Sequence, residues 1–171
     1  MMTLEELNAL PVETFVATLG AIFEHSPWVA QRAAARRPFG SRTQLLEAMR
    51  TVVSEAPLAE QLALIRAHPQ LGARGRTRAQ LTAASAQEQQ RAGLDACTDE
   101  EFARLMELNA AYVLKFSFPF ILAVRGHTPD SILAALTARL NNDVATERAT
   151  ALTQIGLIAG FRLNDVVMSM S

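Results

Sequence analysis

The chain has a single cysteine, Cys97, among its 171 residues. An internal disulfide and a thiolate metal cluster are therefore excluded, and a reducing, cytoplasmic setting is expected. Lysine is equally scarce. Of 16 basic side chains only Lys115 is a lysine, so a Schiff-base mechanism would have to use that residue. No apolar run reaches the roughly 20 residues that span a bilayer. Residues 1–10 lack a basic stretch followed by an apolar core, so a soluble, unprocessed chain without membrane association is expected. The ending Ser169-Met170-Ser171 is not of the peroxisomal Ser-Lys-Leu type. Excess positive charge is also missing: a net charge of -1 excludes general affinity for nucleic acid. His25, His68 and His127 are too scattered for a helical zinc motif. No glycine-rich loop has nucleotide-binding spacing, and there is no Gly-x-Ser-x-Gly elbow. Metal, nucleotide and serine-hydrolase readings fall together.

Half of the residues are apolar, enough for one substantial core, while strand-like alternation is nearly absent and helix signals recur. The pattern predicts an all-α fold: residues 1–171 as one domain, a single-domain bundle of about eight or nine helices. Thr3 and Glu6 are spaced as a capping box, and Pro11 suits the first turn of a helix carrying Phe15 and Leu19. Ser26-Pro27 opens another. Ser41 can cap a longer helix with Leu45, Leu46, Met49, Val52 and Val53 on one face. Pro57 begins the next, which runs through Leu62 and Ile65 and must end before Pro69, placing His68 at a helix exit. Ser85 and Glu88 give another start signal, with Gly93 as the stop. Thr98 and Glu101 open the longest clear helix, whose apolar stripe comprises Phe102, Leu105, Met106, Asn109, Tyr112, Val113 and Phe116. The run from Phe118 to Val124 is apolar without helical period and is interrupted by Pro119, so a buried extended segment is expected there. Thr128-Pro129 starts a helix with Leu133, Leu136 and Leu140 on its buried side, and a last long helix begins near Asp143.

Among candidate chemical groups His68 stands first, because imidazole exchanges a proton near neutral pH and a helix exit places it at a boundary. A lone His before Pro also serves as an ordinary cap or surface residue. Glu88 is equally readable as the third-position carboxylate of a capping box, a device worth about 1 kcal/mol. The same location leaves an anion beside outward-facing N–H groups, which suits recognition of a ureide. Gln89 adds an amide that both donates and accepts, as cyclic ureas require. Arg162 is out of place: Leu152, Ile155, Ala159 and Val166 put it on the apolar stripe of the last helix. A buried guanidinium needs a carboxylate, from a ligand or from the protein, and Glu147 and Glu88 are the internal candidates. Arg66, Arg74, Arg76 and Arg78 form either a solvated loop or an anion-attracting one. His25 reads as a brace for the helix beside it.

Four motifs carry a resemblance: Phe23-Glu24-His25-Ser26-Pro27-Trp28, His68-Pro69-Gln70-Leu71-Gly72, Ser85-Ala86-Gln87-Glu88-Gln89 before Ala92-Gly93-Leu94, and Lys115-Phe116-Ser117-Phe118-Pro119-Phe120. In this order and spacing the chain resembles the OHCU decarboxylases, which act on 2-oxo-4-hydroxy-4-carboxy-5-ureidoimidazoline (OHCU), the last intermediate of urate oxidation. The resemblance runs from about Leu10 to Val166. It implies a cofactor-independent carboxy-lyase giving S-allantoin and CO2, with a small ureide as substrate and a homodimer as assembly. It implies catalytic roles for His68, Glu88 and Arg162. It further implies substrate binding by Pro69, by Ser85, Ala86, Gln87 and Gln89, and by the backbone of Phe120, Ile121, Leu122, Ala123 and Val124. Two departures stand out: Gln70 where a charged residue is expected after His-Pro, and Ser117 where Gly is common. Another step of ureide breakdown, such as a hydrolysis, and a non-catalytic module that senses a purine metabolite are the alternative readings.

Overall fold

The computed structural model describes residues 1–72, 85, 87, 88, 93 and 97–169. Among them eight helices carry the chain: α1 (Leu4–Ala9), α2 (Val12–Leu19), α3 (Trp28–Ala34), α4 (Arg42–Glu55), α5 (Leu58–Ala67), α6 (Asp99–Phe116), α7 (Pro129–Arg139) and α8 (Val144–Val166). Ser85, Gln87 and Glu88 are helical as well. The described residues contain no strand beyond one isolated bridge between Met2 and Val167, so the all-α class is the observed one. None of the described helices is long and apolar enough to cross a membrane.

The starts follow the expected local chemistry. Thr3 and Glu6 close a reciprocal capping box on α1, and Thr98 and Glu101 do the same on α6. Ser41 accepts the Gln44 N–H at 3.1 Å and Asp143 accepts the Thr146 N–H at 2.7 Å, each satisfying a donor that the first helical turn leaves open. Pro129 is the first residue of α7, where its missing N–H has no cost. Three details differ from expectation. Ser85 is itself helical rather than a flanking cap, so that helix begins no later than Ser85. On α6 the buried face is Leu105, Leu108, Asn109, Tyr112 and Phe116 while Val113 is exposed. A stripe repeating at three and four residues from Leu105 passes through Leu108 and Tyr112 and leaves Val113 rotated off it. On α7 the buried pair is Ile132 and Leu136; Leu133, one step round the helix, is only half-buried, as is Leu140, which follows the last helical residue.

Two compact units divide the chain, Met1–Ala67 with Ile155–Ser171, and His68–Gln154. In the first, Leu7, Phe15, Leu19, Val29, Leu45, Met49, Leu64, Ile65 and Leu163 are buried. Its chain ends meet: Met2 N–H donates to the Val166 C=O at 3.0 Å and Met168 N–H to the Met2 C=O at 2.9 Å.

In the second unit Tyr112 is ringed by Phe116, Phe118 and Phe120, with centroids 4.5, 6.0 and 5.4 Å away. Inside this apolar setting lies Glu147, fully buried. Its carboxylate accepts from the Tyr112 hydroxyl, from Arg139 Nη2 at 2.9 Å and from Asn142 Nδ2 at 2.9 Å. A buried carboxylate with one partner would be costly; one satisfied from three directions ties α6, α7 and the start of α8 together. Burial, the largest influence, pushes the Glu147 carboxyl up, but hydrogen bonds from Arg139, Tyr112 and Asn142 outweigh it and hold the group below its ordinary value of 4.5. Tyr112 is driven the other way, chiefly by burial and then by the adjoining carboxylate, and so keeps the proton it donates.

Because the folded Glu147 binds a proton less readily than the unfolded one, its stabilisation is complete above the ordinary carboxylate value. It is lost as pH falls through the folded value. Urea unfolding should therefore show a stability decline below about pH 4.5 that Glu147→Gln flattens; an unchanged acid limb in the variant would contradict the network. Tyr112→Phe, which keeps the carboxylate, should cost about 1.5–3 kcal/mol at pH 7.

Candidate active site

α5 ends at Ala67, ahead of Pro69, and His68 follows as a buried residue with 6% exposure. The residues after it are fastened to α6. Leu71 C=O accepts from Asn109 Nδ2 at 3.2 Å, and both residues are buried. Gly72 takes φ +76°, and a methyl group added there would lie 2.3 Å from Leu105 Cδ2. Backbone conformation and close approach both require glycine. The segment from His68 to Gly72 is thus held by a hydrogen bond and a steric fit, which restricts where the imidazole can go. His68 is a boundary residue of the chain, as expected, but not a surface one.

Of the segment that the motifs propose for binding around Glu88, Ser85 is buried, Gln87 exposed and Glu88 half-buried. Ala86 and Gln89 lie outside the described residues, as do Arg74, Arg76 and Arg78. Gly93 has φ +76°, in the left-handed region that favours glycine. The third segment behaves as its sequence suggests: residues 119–124 adopt neither helix nor strand, and Phe120, Ile121, Leu122, Ala123 and Val124 are all buried. α6 ends immediately upstream, with Ser117 as its left-handed cap at φ +62° and its N–H on the Val113 C=O at 2.8 Å. The left-handed cap explains why glycine suits that position. His68, Pro69, Ser85, Gln87, Glu88 and residues 120–124 all belong to the second unit.

Arg162 belongs to the first. It is buried, as its place on the apolar stripe requires, and the carboxylate seen to meet it is Glu24, which the sequence did not single out as its partner. Nη1 lies 2.8 Å from Glu24 Oε2, and both side chains are at most 7% exposed. Glu147 is committed to Arg139 instead. The pairing gives physical sense to the first motif. Glu24 is buried beside Phe23; His25 turns the chain at φ +47° with its own side chain largely exposed; Ser26 Oγ closes the turn on the Glu24 C=O at 2.9 Å, and Pro27 leads into α3. The signal for Glu24 was present: a carboxylate next to core residues in a motif already singled out. Lys115 sits at the exposed end of α6 with its ammonium on the Leu140 C=O at 2.7 Å, a capping role rather than that of a buried amine nucleophile. Among the described residues no group of three or more His, Cys, Asp or Glu side chains is placed to hold a metal ion.

Residues 8–164 match the family model for OHCU decarboxylase. The uric acid degradation bifunctional protein PucL of Bacillus subtilis is 44% identical over 98% of this chain, which spans only 33% of that protein. The 2-oxo-4-hydroxy-4-carboxy-5-ureidoimidazoline decarboxylase of Haloferax volcanii is 42% identical, with 96% of this chain and 95% of that one covered. Among solved structures, (S)-allantoin synthase superposes with a TM-score of 0.77 at 31% identity over 97% of this chain and 54% of that one. Fold, motifs and matches together define the class, a helical carboxy-lyase domain. The chain belongs to the OHCU decarboxylase family, as its four motifs imply.

The fastening of the His68 segment is open to a double-mutant test. Gly72→Ala should destabilise by more than about 1 kcal/mol, and Leu105→Ala in the same chain should recover part of that loss, measured as a coupling energy by urea unfolding. Strict additivity of the two substitutions would show that Leu105 does not confine residue 72.

Proposed function

We propose that the chain decarboxylates 2-oxo-4-hydroxy-4-carboxy-5-ureidoimidazoline to (S)-allantoin and CO2 without a cofactor, the last step of urate oxidation. The observation that carries this reading is the family match across residues 8–164, which includes the His68-Pro69, Ser85 to Gln89 and post-Pro119 segments.

The substrate contains its own electron sink. When the bond to the carboxylate breaks, the electron pair moves into the conjugated ring C=N and CO2 leaves. The hydroxyl-bearing carbon then becomes a carbonyl as its O–H proton departs, the ring nitrogen that received the electron pair takes a proton, and the ureido-bearing carbon takes another on one face, which sets the S configuration; one proton net comes from solvent. The protein has to orient the ring and manage protons. His68 takes the proton-handling role beside the hydroxyl-bearing carbon. Glu88 accepts from ureido N–H groups, and Gln89, Pro69, Ser85, Ala86 and Gln87 complete that side. The backbone of residues 120–124 fixes the ring, whose cyclic urea offers donors and acceptors matched to peptide groups. Arg162 anchors negative charge on the substrate, with the Glu24 carboxylate holding its guanidinium in orientation. Residues 1–171 act as one domain in this reading, in a cytoplasmic homodimer. The lone cysteine supports that setting, and the family resemblance supports the assembly.

Freshly generated substrate, followed by CO2 release and by circular dichroism of the allantoin, tests the reading. The expected result is turnover well above spontaneous decay, with one enantiomer formed. Decay no faster than the uncatalysed reaction, or racemic product, would sink it. His68→Asn should lower kcat by roughly 10²–10⁴ while the far-ultraviolet spectrum stays helical.

A further inference from the structure

The second unit contains a clamp on residues 120–124 that the proton chemistry above does not use. These residues belong to neither helix nor strand and their side chains are at most 9% exposed, so their backbone polar groups need partners from elsewhere in the chain. Arg139, the last residue of α7, donates from Nη1 to the Ile121 C=O at 2.6 Å. Its guanidinium carbon also stands 4.4 Å from the centroid of the Phe120 ring. Two residues on, the Ala123 N–H donates to Gln154 Oε1 at 3.0 Å. The His127 N–H, at 2.9 Å, takes the Val124 C=O and closes the far end.

The other edge of the Arg139 guanidinium faces Glu147. Nε lies 3.1 Å from both carboxylate oxygens and Nη2 lies 2.9 Å from Oε2. A planar fork that meets a carboxylate along one edge and a carbonyl from its remaining nitrogen is specific to arginine, because an ammonium has no fixed donor plane. Glu147 is itself fixed by Tyr112 and Asn142. Orientation therefore passes from the buried carboxylate to Arg139, and from Arg139 to the segment.

We propose that Arg139, oriented by Glu147 and seconded by Gln154, is a positioning residue that sets residues 120–124 for recognition of the ureide ring. This rests on the reading of those residues as a binding strip. It also limits what the strip can offer. The Ala123 N–H has one proton, and Gln154 holds it, so the substrate is read by other backbone groups of the segment.

Steady-state kinetics on Arg139→Lys and Gln154→Ala, with amide hydrogen exchange at Ala123, test the inference. Each variant should raise KM for the ureide about tenfold, the loss of roughly one aligned hydrogen bond, with kcat little changed and Ala123 exchange accelerated. His68→Asn should show the opposite split, with kcat lowered at similar KM. Gln154 is half-exposed, so its variant decides the matter if Arg139→Lys does not fold. Folded variants with wild-type KM, or with unaltered Ala123 exchange, would overturn the positioning role while leaving the decarboxylase reading intact. A wild-type protein that does not turn over the ureide would instead remove that reading, and the inference with it.

Discussion

A carboxylate with no exposure to water fixes much of the second unit. Glu147 cannot stay ionised in an apolar core unless its oxygens are fully engaged, and the chain meets that demand with Tyr112 from α6, Arg139 from α7 and Asn142 from the turn before α8. Each of these groups is thereby fixed in turn. The Tyr112 ring organises Phe116, Phe118 and Phe120 around it, and Arg139 carries the constraint outward to the backbone of Ile121. A segment that Pro119 bars from helical structure is thus held by side chains instead of a regular ladder.

The first unit solves a similar problem with a different pair. Arg162 sits where the helical period calls for an apolar residue, and Glu24, far earlier in the sequence, meets it with its carboxylate, while the Ala21 C=O also accepts from Arg162. Truncating either partner would strand a buried charge, at a cost of about 3–5 kcal/mol. The Phe23-Glu24-His25-Ser26-Pro27-Trp28 motif is therefore more than a helix start: it delivers a carboxylate into the core and turns sharply at His25 to do so.

Local rules made most of the helices legible. Thr3, Ser41, Thr98 and Thr128 cap where their spacing predicts, because capping depends on two or three neighbouring residues and little else. The exit of α5 before His68 and the irregular run after Pro119 follow from proline's effect on its own and preceding residue, which is equally local. What sequence pattern misjudged was rotational or long-range. Val113 and Leu133 lie one step off the buried faces, a small angular difference that composition alone does not resolve. The Arg162–Glu24 and Arg139–Glu147 pairings depended on which distant residues meet, and neither was foreseen from sequence. Ser117 shows the reverse: its departure from glycine was visible beforehand, and the left-handed φ of +62° supplies the reason glycine is favoured. The candidate site residues were singled out through motif order, since neither His68 nor Glu88 is distinctive alone.

The central claim is that His68 and the clamped strip act on one ureide. A crystal structure of the chain with (S)-allantoin bound tests it most directly. The account predicts the ligand ring hydrogen-bonded to the backbone of residues 120–124, with a ring or carbonyl atom within about 2.6–3.2 Å of the His68 imidazole. Allantoin bound elsewhere, touching neither His68 nor that strip, would contradict it.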